Sequence, residues 1–188
     1  MNKLIFALLI FIGFNVSAQK IRVKVIGQKD TTVNLIKYYG SKLYYADTAE
    51  MKNGEVVFDG KKQKPGIVGL LLPGQKYFEF IYNNEDIQLE TSGPDYMTNM
   101  KVKKSEENKV FIPYVNFISN RKSEANKLGE QRNNLKKEDP QFKTLSDKMD
   151  AINKEVETYQ KNLIEQSKGR LVSKIVKMSM EVEIPEPP

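Results

Sequence analysis

The sequence predicts an α+β protein: an antiparallel β-sandwich or open barrel, followed by an antiparallel α-helical hairpin and a short third helix. Three observations carry this. Between Lys20 and Lys103 apolar residues alternate with polar ones at period two, the spacing of half-buried strands. Through the same stretch, turn signals built on Gly, Pro and Asn recur about every ten residues, the rhythm of sandwiches and barrels. Beyond Asp139-Pro140 the pattern changes. Phe142, Leu145, Met149, Ile152, Val156, Tyr159 and Leu163 follow one another at steps of three and four, which keeps one apolar stripe on a helix for three heptads.

Residues 1–18 read as a secretory signal peptide. Lys3 supplies the positive start, residues 4–14 an apolar run, and Val16-Ser17-Ala18 a small-residue cleavage site, with the cut expected between Ala18 and Gln19. The run is short for a membrane span, which needs about 20 residues, and no later segment is apolar enough to span. The expected address is therefore periplasmic, with no transmembrane segment after cleavage and no nucleic acid among the partners.

A β-sandwich-like domain is expected over residues 19–104. Ile21, Val23 and Val25 alternate with Arg22 and Lys24 in a first strand, and residues 27–30 turn it. Residues 33–39 and 43–46 form a hairpin about Gly40-Ser41. Asn53-Gly54, a type I′ turn signal, closes a second hairpin between residues 47–51 and Val56-Val57-Phe58. The apolar run 67–72 should be a central strand. Phe78, Phe80 and Tyr82 mark the next strand, with Asn83-Asn84 turning it in a hairpin to Ile87 and Leu89 and a last strand near residues 100–103.

The helical domain is placed over residues 105–180. Ser105 is an N-cap with Glu106 and Glu107 behind it, although Asn108 stands where a capping box has Glu. Pro113 should kink this helix or restart it. Phe111, Tyr114, Val115, Ile118, Ala125, Leu128 and Leu135 line its apolar side, interrupted by Arg121 and Lys122. Asp139 caps the second helix with Pro140 at its first position. The two helices are close enough in sequence to pack as antiparallel neighbours. After Gly169, a third helix places Leu171, Val172, Ile175, Val176 and Met178 on one side, and residues 181–188 have the composition of a Pro-rich linker or a truncated end.

Composition narrows the chemistry. The chain has no Cys and no His, so thiol mechanisms, a disulfide framework, Ser-His-Asp catalysis and histidine-built zinc sites are ruled out for its own residues. Asp30, Asp47, Asp59, Glu85, Asp86 and Asp95 sit near turns, where capping accounts for them, and no calcium-loop spacing occurs. The expectation is a protein that is not an enzyme and carries no cofactor. A net charge of +6 points to anionic partners, namely envelope glycan or lipid. The residues marked for binding are Tyr38, Tyr39, Tyr44 and Tyr45, whose rings could stack on sugars, and Arg121 and Lys122 on the weaker helix.

Asp47-Thr48, residues 53–60, Pro65-Gly66-Ile67-Val68 and Ser105-Glu106-Glu107-Asn108 before Phe111 resemble the uncharacterised β-rich domain found ahead of TlpA-type thioredoxin-like domains in exported bacterial proteins. The helical stretch ending in Glu183-Ile184-Pro185-Glu186-Pro187 is similar to the helical domain between the two. The resemblance implies a non-catalytic accessory region of a periplasmic thiol-disulfide oxidoreductase-type protein, with a thioredoxin-like domain or protein as partner. This chain carries no Cys-x-x-Cys pair, so the redox step itself cannot be assigned to its residues. The alternative is a stand-alone periplasmic binder or holdase chaperone for anionic envelope components or unfolded clients.

Overall fold

The computed structural model describes residues 19–40 and 42–180. The expected signal peptide and the Pro-rich end lie outside these residues, as does Ser41 of the first hairpin turn. Eight strands and three helices follow in order: β1 (Lys20–Ile26), β2 (Thr31–Tyr39), β3 (Lys42–Met51), β4 (Glu55–Asp59), β5 (Gly66–Leu72), β6 (Lys76–Tyr82), β7 (Ile87–Ser92), β8 (Lys101–Lys104), α1 (Glu106–Asn133), α2 (Pro140–Gln166) and α3 (Leu171–Ser179). The class is α+β, as the period-two and heptad patterns imply.

The strands form two four-stranded sheets, ordered β4-β1-β7-β8 and β3-β2-β5-β6. Their inner faces meet over Ile21, Val23, Val25, Val56, Phe58 and Leu89 from the first sheet and Val33, Leu35, Leu70, Phe78 and Phe80 from the second, all buried. These are the residues that alternation places on one side of each strand. The sandwich is also tied across its layers at one end. The Tyr82 phenol of β6 donates to the Gly60 carbonyl beyond β4 at 2.7 Å, and a side chain at Gly60 would sit 2.8 Å from that hydroxyl.

Two expected hairpins are corrected. Asn53 and Gly54 have the left-handed backbone of a type I′ turn (φ 51° and 75°), but pairing ends after one bridge, Lys52 to Glu55. β4 then leaves β3 and pairs with β1 in the other sheet. Likewise Asn83-Asn84 does not return β6 along itself, since β7 joins the opposite sheet beside β1. Residues 83–86 can reach about 13 Å, enough to cross between layers about 10 Å apart. The β1–β7 pair is parallel, the exception in otherwise antiparallel sheets. Alternation reports which face a residue occupies and is silent on strand direction, which is why the sequence does not reveal this pair.

Helix α1 runs unbroken through Pro113, so there is no restart there. Its base belongs to the β core: Phe111, Ile112 and Tyr114 share one cluster with the sandwich residues, as do Leu163 of α2 and Val172 and Val176 of α3. The core therefore crosses the position between residues 104 and 105. The heptad stripe packs against α1 in antiparallel sense. Tyr159 stacks on Phe117 with centroids 4.2 Å apart and on Tyr114 at 6.3 Å. Met149 faces Gly129, and the Arg132 guanidinium lies 5.6 Å from the Phe142 ring centre. Met178, expected on the apolar side of α3, is 85% exposed. It lies only two residues beyond Val176, which puts it about 200° round the helix from that buried side chain.

Candidate functional site

The four tyrosines do not form one platform. The β2–β3 register pairs Ile36 with Tyr45, Lys37 with Tyr44, Tyr38 with Leu43 and Tyr39 with Lys42, after a shift that leaves Ala46 as an extra residue. Directly paired residues share a face, so Tyr39 and Tyr44 lie on one side of the hairpin tip and Tyr38 and Tyr45 on the other. The ring contact agrees, with Tyr39 and Tyr44 meeting edge to face at 6.4 Å. Tyr39 is 81% and Tyr45 69% exposed. Arg121 and Lys122 are on α1, apart from the hairpin. Arg121 pairs with Glu124 of its own helix at 3.1 Å and with Glu155 across the α1–α2 seam at 3.3 Å and lies over Phe117, while Lys122 is exposed.

Tyr38 makes the more informative contact. Its phenol donates to the Glu79 carboxylate of β6, across the intervening strand β5. That hydrogen bond, then burial and the Glu79 charge, push the Tyr38 phenol well above its ordinary range, with the neighbouring Tyr77 adding to the shift. Between them β5 carries Gly69, and a Cβ there would come within 2.9 Å of Ile36 Cγ1. Glycine at this position lets the fully buried Ile36 lean across the sheet. Tyr38, Tyr77 and Glu79 thus converge on the outer face of this sheet, beside β6, its edge strand.

That edge meets α1 through one side chain. Asn108, fully buried, accepts from the Ile81 N–H at 2.8 Å and donates to the Ile81 carbonyl at 2.7 Å. Its amide stands in for the next strand of the sheet. The same amide nitrogen contacts Ser105 Oγ at 2.7 Å, and that oxygen accepts from the Asn108 N–H as the α1 cap. Carboxylates extend the join. Glu85, after β6, accepts from the Glu106 N–H at 2.9 Å and the Ser105 hydroxyl at the head of α1. Glu107 accepts from the Leu171 and Val172 N–H groups at 2.9 and 2.8 Å, capping α3, and from Asn83 at 2.7 Å. Acceptors at helix N-termini satisfy orphan N–H groups and complement the dipole.

Past Asn108, α1 and β6 diverge. The gap is a groove of about 230 Å³ lined by Tyr77, Phe78, Glu79, Met97, Phe111 and Val115. Its outer wall, the loop before β8, is pinned. Asn116 donates to the Met97 carbonyl at 3.1 Å, and the Asp95 carboxylate accepts from the Thr98 N–H and hydroxyl at 3.0 and 2.7 Å, which holds its pKa below the usual range. Tyr96 packs on Phe78 with centroids 5.6 Å apart. Among the described residues no group of three or more His, Cys, Asp or Glu side chains could hold a metal ion, and no helix is long and apolar enough to cross a membrane.

Tyr77 and Glu79 carry no signal of a site in the sequence, and Glu107 and Asn108 show there only as residues of a helix start. Asn108 is a polar residue where the capping box wants Glu, yet its bonds run to a strand that only the tertiary fold brings close.

Residues 19–111 match the family model described as a domain of unknown function, DUF4369. The match extends past the last strand to Phe111, taking in Asn108 and the base of α1. No curated protein matches the chain.

Proposed function

We propose that this chain, built on an uncharacterised DUF4369 domain, is a non-catalytic accessory and interaction module of a periplasmic thioredoxin-like thiol-disulfide oxidoreductase system. The observation that carries this reading is the rigid join of hairpin to sandwich. Asn108, Glu107 and Glu85 fix the base of α1 and the head of α3 to β6 and its exit loop, which suits a part that positions a partner. The redox chemistry belongs to that partner, a thioredoxin-like domain or protein carrying the cysteine pair this chain lacks.

The test is capture of the thioredoxin-like exported proteins encoded in the same genome, by cross-linking and by analytical ultracentrifugation with the purified chain. The expected result is a defined complex with at least one of them, and no disulfide reduction by the chain alone. Absence of any complex would refute the reading. Salt-sensitive suppression of aggregation of an unfolded outer-membrane protein, with no such complex, would favour the holdase alternative.

A further inference from the structure

The edge of β6 is only partly covered. Ile81 turns both its N–H and its carbonyl away from β5 to meet Asn108, and backbone groups two residues apart on a strand point the same way, so those of Glu79 and Tyr77 also face outward. Among the described residues, no group is hydrogen-bonded to either of these N–H groups. They open onto the apolar groove between β6 and α1, beside Phe78 and opposite Phe111 and Val115. Asn108 shows what the edge accepts, since a planar amide already sits there in the geometry of a neighbouring strand.

We propose that the β6 edge at Tyr77 and Glu79 binds an extended peptide segment of a partner protein, one that alternates apolar and basic residues. Added as an antiparallel strand, such a segment bonds to the outward backbone groups. Its residue opposite Glu79 lies on the outer face, where a Lys or Arg meets the Glu79 carboxylate as a cross-strand ion pair. Its neighbours turn to the other face, where Phe78, Met97, Phe111 and Val115 form an apolar pocket. This charge complementarity selects a cationic peptide over an acidic one. The inference rests on the reading of the chain as an interaction module and specifies its partner chemistry.

The test uses the purified full chain with a fluorescent peptide KVKIKVK, the acidic control EVEIEVE and the strand-breaking control KVKPKVK. Binding of the first alone is expected, with slowed amide exchange at Glu79 and Tyr77. Tyr77→Pro removes one outward N–H at an edge where proline is tolerated, and should abolish binding without loss of far-UV dichroism. Glu79→Lys should weaken the basic peptide about fivefold and favour the acidic one. The proposal is overturned if KVKIKVK does not bind, if the two charged peptides bind alike, if the Glu79 and Tyr77 amides are not protected, or if chitohexaose binds at this edge and the peptide does not. Capture of a thioredoxin-like partner that survives Tyr77→Pro would retain the module and discard the groove. Peptide protection of Glu79 without any such capture would do the reverse.

Discussion

Replacing Asn108 with Ala tests the join between sheet and helix most directly. The side chain is fully buried and makes contacts of 2.8, 2.7 and 2.7 Å with the Ile81 N–H, the Ile81 carbonyl and Ser105 Oγ. Alanine leaves the two Ile81 groups facing the flank of α1 without a partner. A buried polar group left unsatisfied costs about 1–3 kcal/mol, and partial access of water through the adjacent groove brings the expected sum for both to about 3 kcal/mol. In a domain of this size each kcal/mol moves Tm by about 2–4 °C, so a drop of about 6–12 °C is expected. Urea unfolding followed by far-UV dichroism gives the free energy, and amide exchange at Ile81 reports the site. Asn108→Asp should be no better, because a carboxylate accepts from the N–H but cannot donate to the carbonyl. If Asn108→Ala unfolds within about 0.5 kcal/mol of the parent chain, the range of an unremarkable surface change, the amide is incidental and the reasoning fails.

Four further outcomes follow from other contacts. Gly69→Ala should destabilise by about 1–3 kcal/mol in the same urea assay, since its Cβ would meet Ile36 Cγ1 at 2.9 Å and the Phe78 carbonyl at 3.1 Å in a packed sheet. Glu107→Ala should free the head of α3, seen as faster tryptic cleavage after Lys168 and Arg170 with amide protection of β1 and β7 unchanged. Ile152→Asp puts a carboxylate into the α1–α2 seam. It should loosen the hairpin while the sandwich strands keep their protection, because Ile152 is buried outside the shared core cluster. In an ultraviolet titration of the nine tyrosines, the Tyr38 and Tyr82 phenols should ionise above the ordinary tyrosine range, and Glu79→Ala, which removes both the acceptor and its charge, should bring Tyr38 down. Both phenols are raised in the folded state, so the stability they add is complete below the ordinary tyrosine pKa of about 10 and declines as pH climbs above it.

Local pattern revealed most of the elements. The alternation Ile21-Arg22-Val23-Lys24-Val25 marks both a strand and its buried face, and the seven-residue stripe from Phe142 to Leu163 marks both a helix and the side that meets α1. Partnership was less legible. Nothing in Asn53-Gly54 or Asn83-Asn84 tells a turn that folds a strand back on itself from one that carries it to the opposite sheet, because both need the same backbone. The tyrosines were visible as residues, but the extra residue at Ala46 fixes which of them share a face, and a bulge leaves no signature in composition. Asn108 and Glu107 were hidden for another reason. Their partners are 27 and 64 residues away, and a polar residue in the first turn of a helix ordinarily serves its own helix.

The Asn108 contact also sets a lever. From Asn108 to the end of α1 at Asn133 the helix extends about 37 Å at 1.5 Å per residue, and its base is held at the end of β6, by Asn108 on Ile81 and by Glu85 on the Ser105 hydroxyl and the Glu106 N–H. Over that length each degree of tilt at the base displaces the tip by about 0.6 Å. Any change that shortens, lengthens or turns the bonds at Ile81 is therefore magnified at the far end of the hairpin, and whatever occupies the neighbouring edge of β6 works on the short side of that fulcrum.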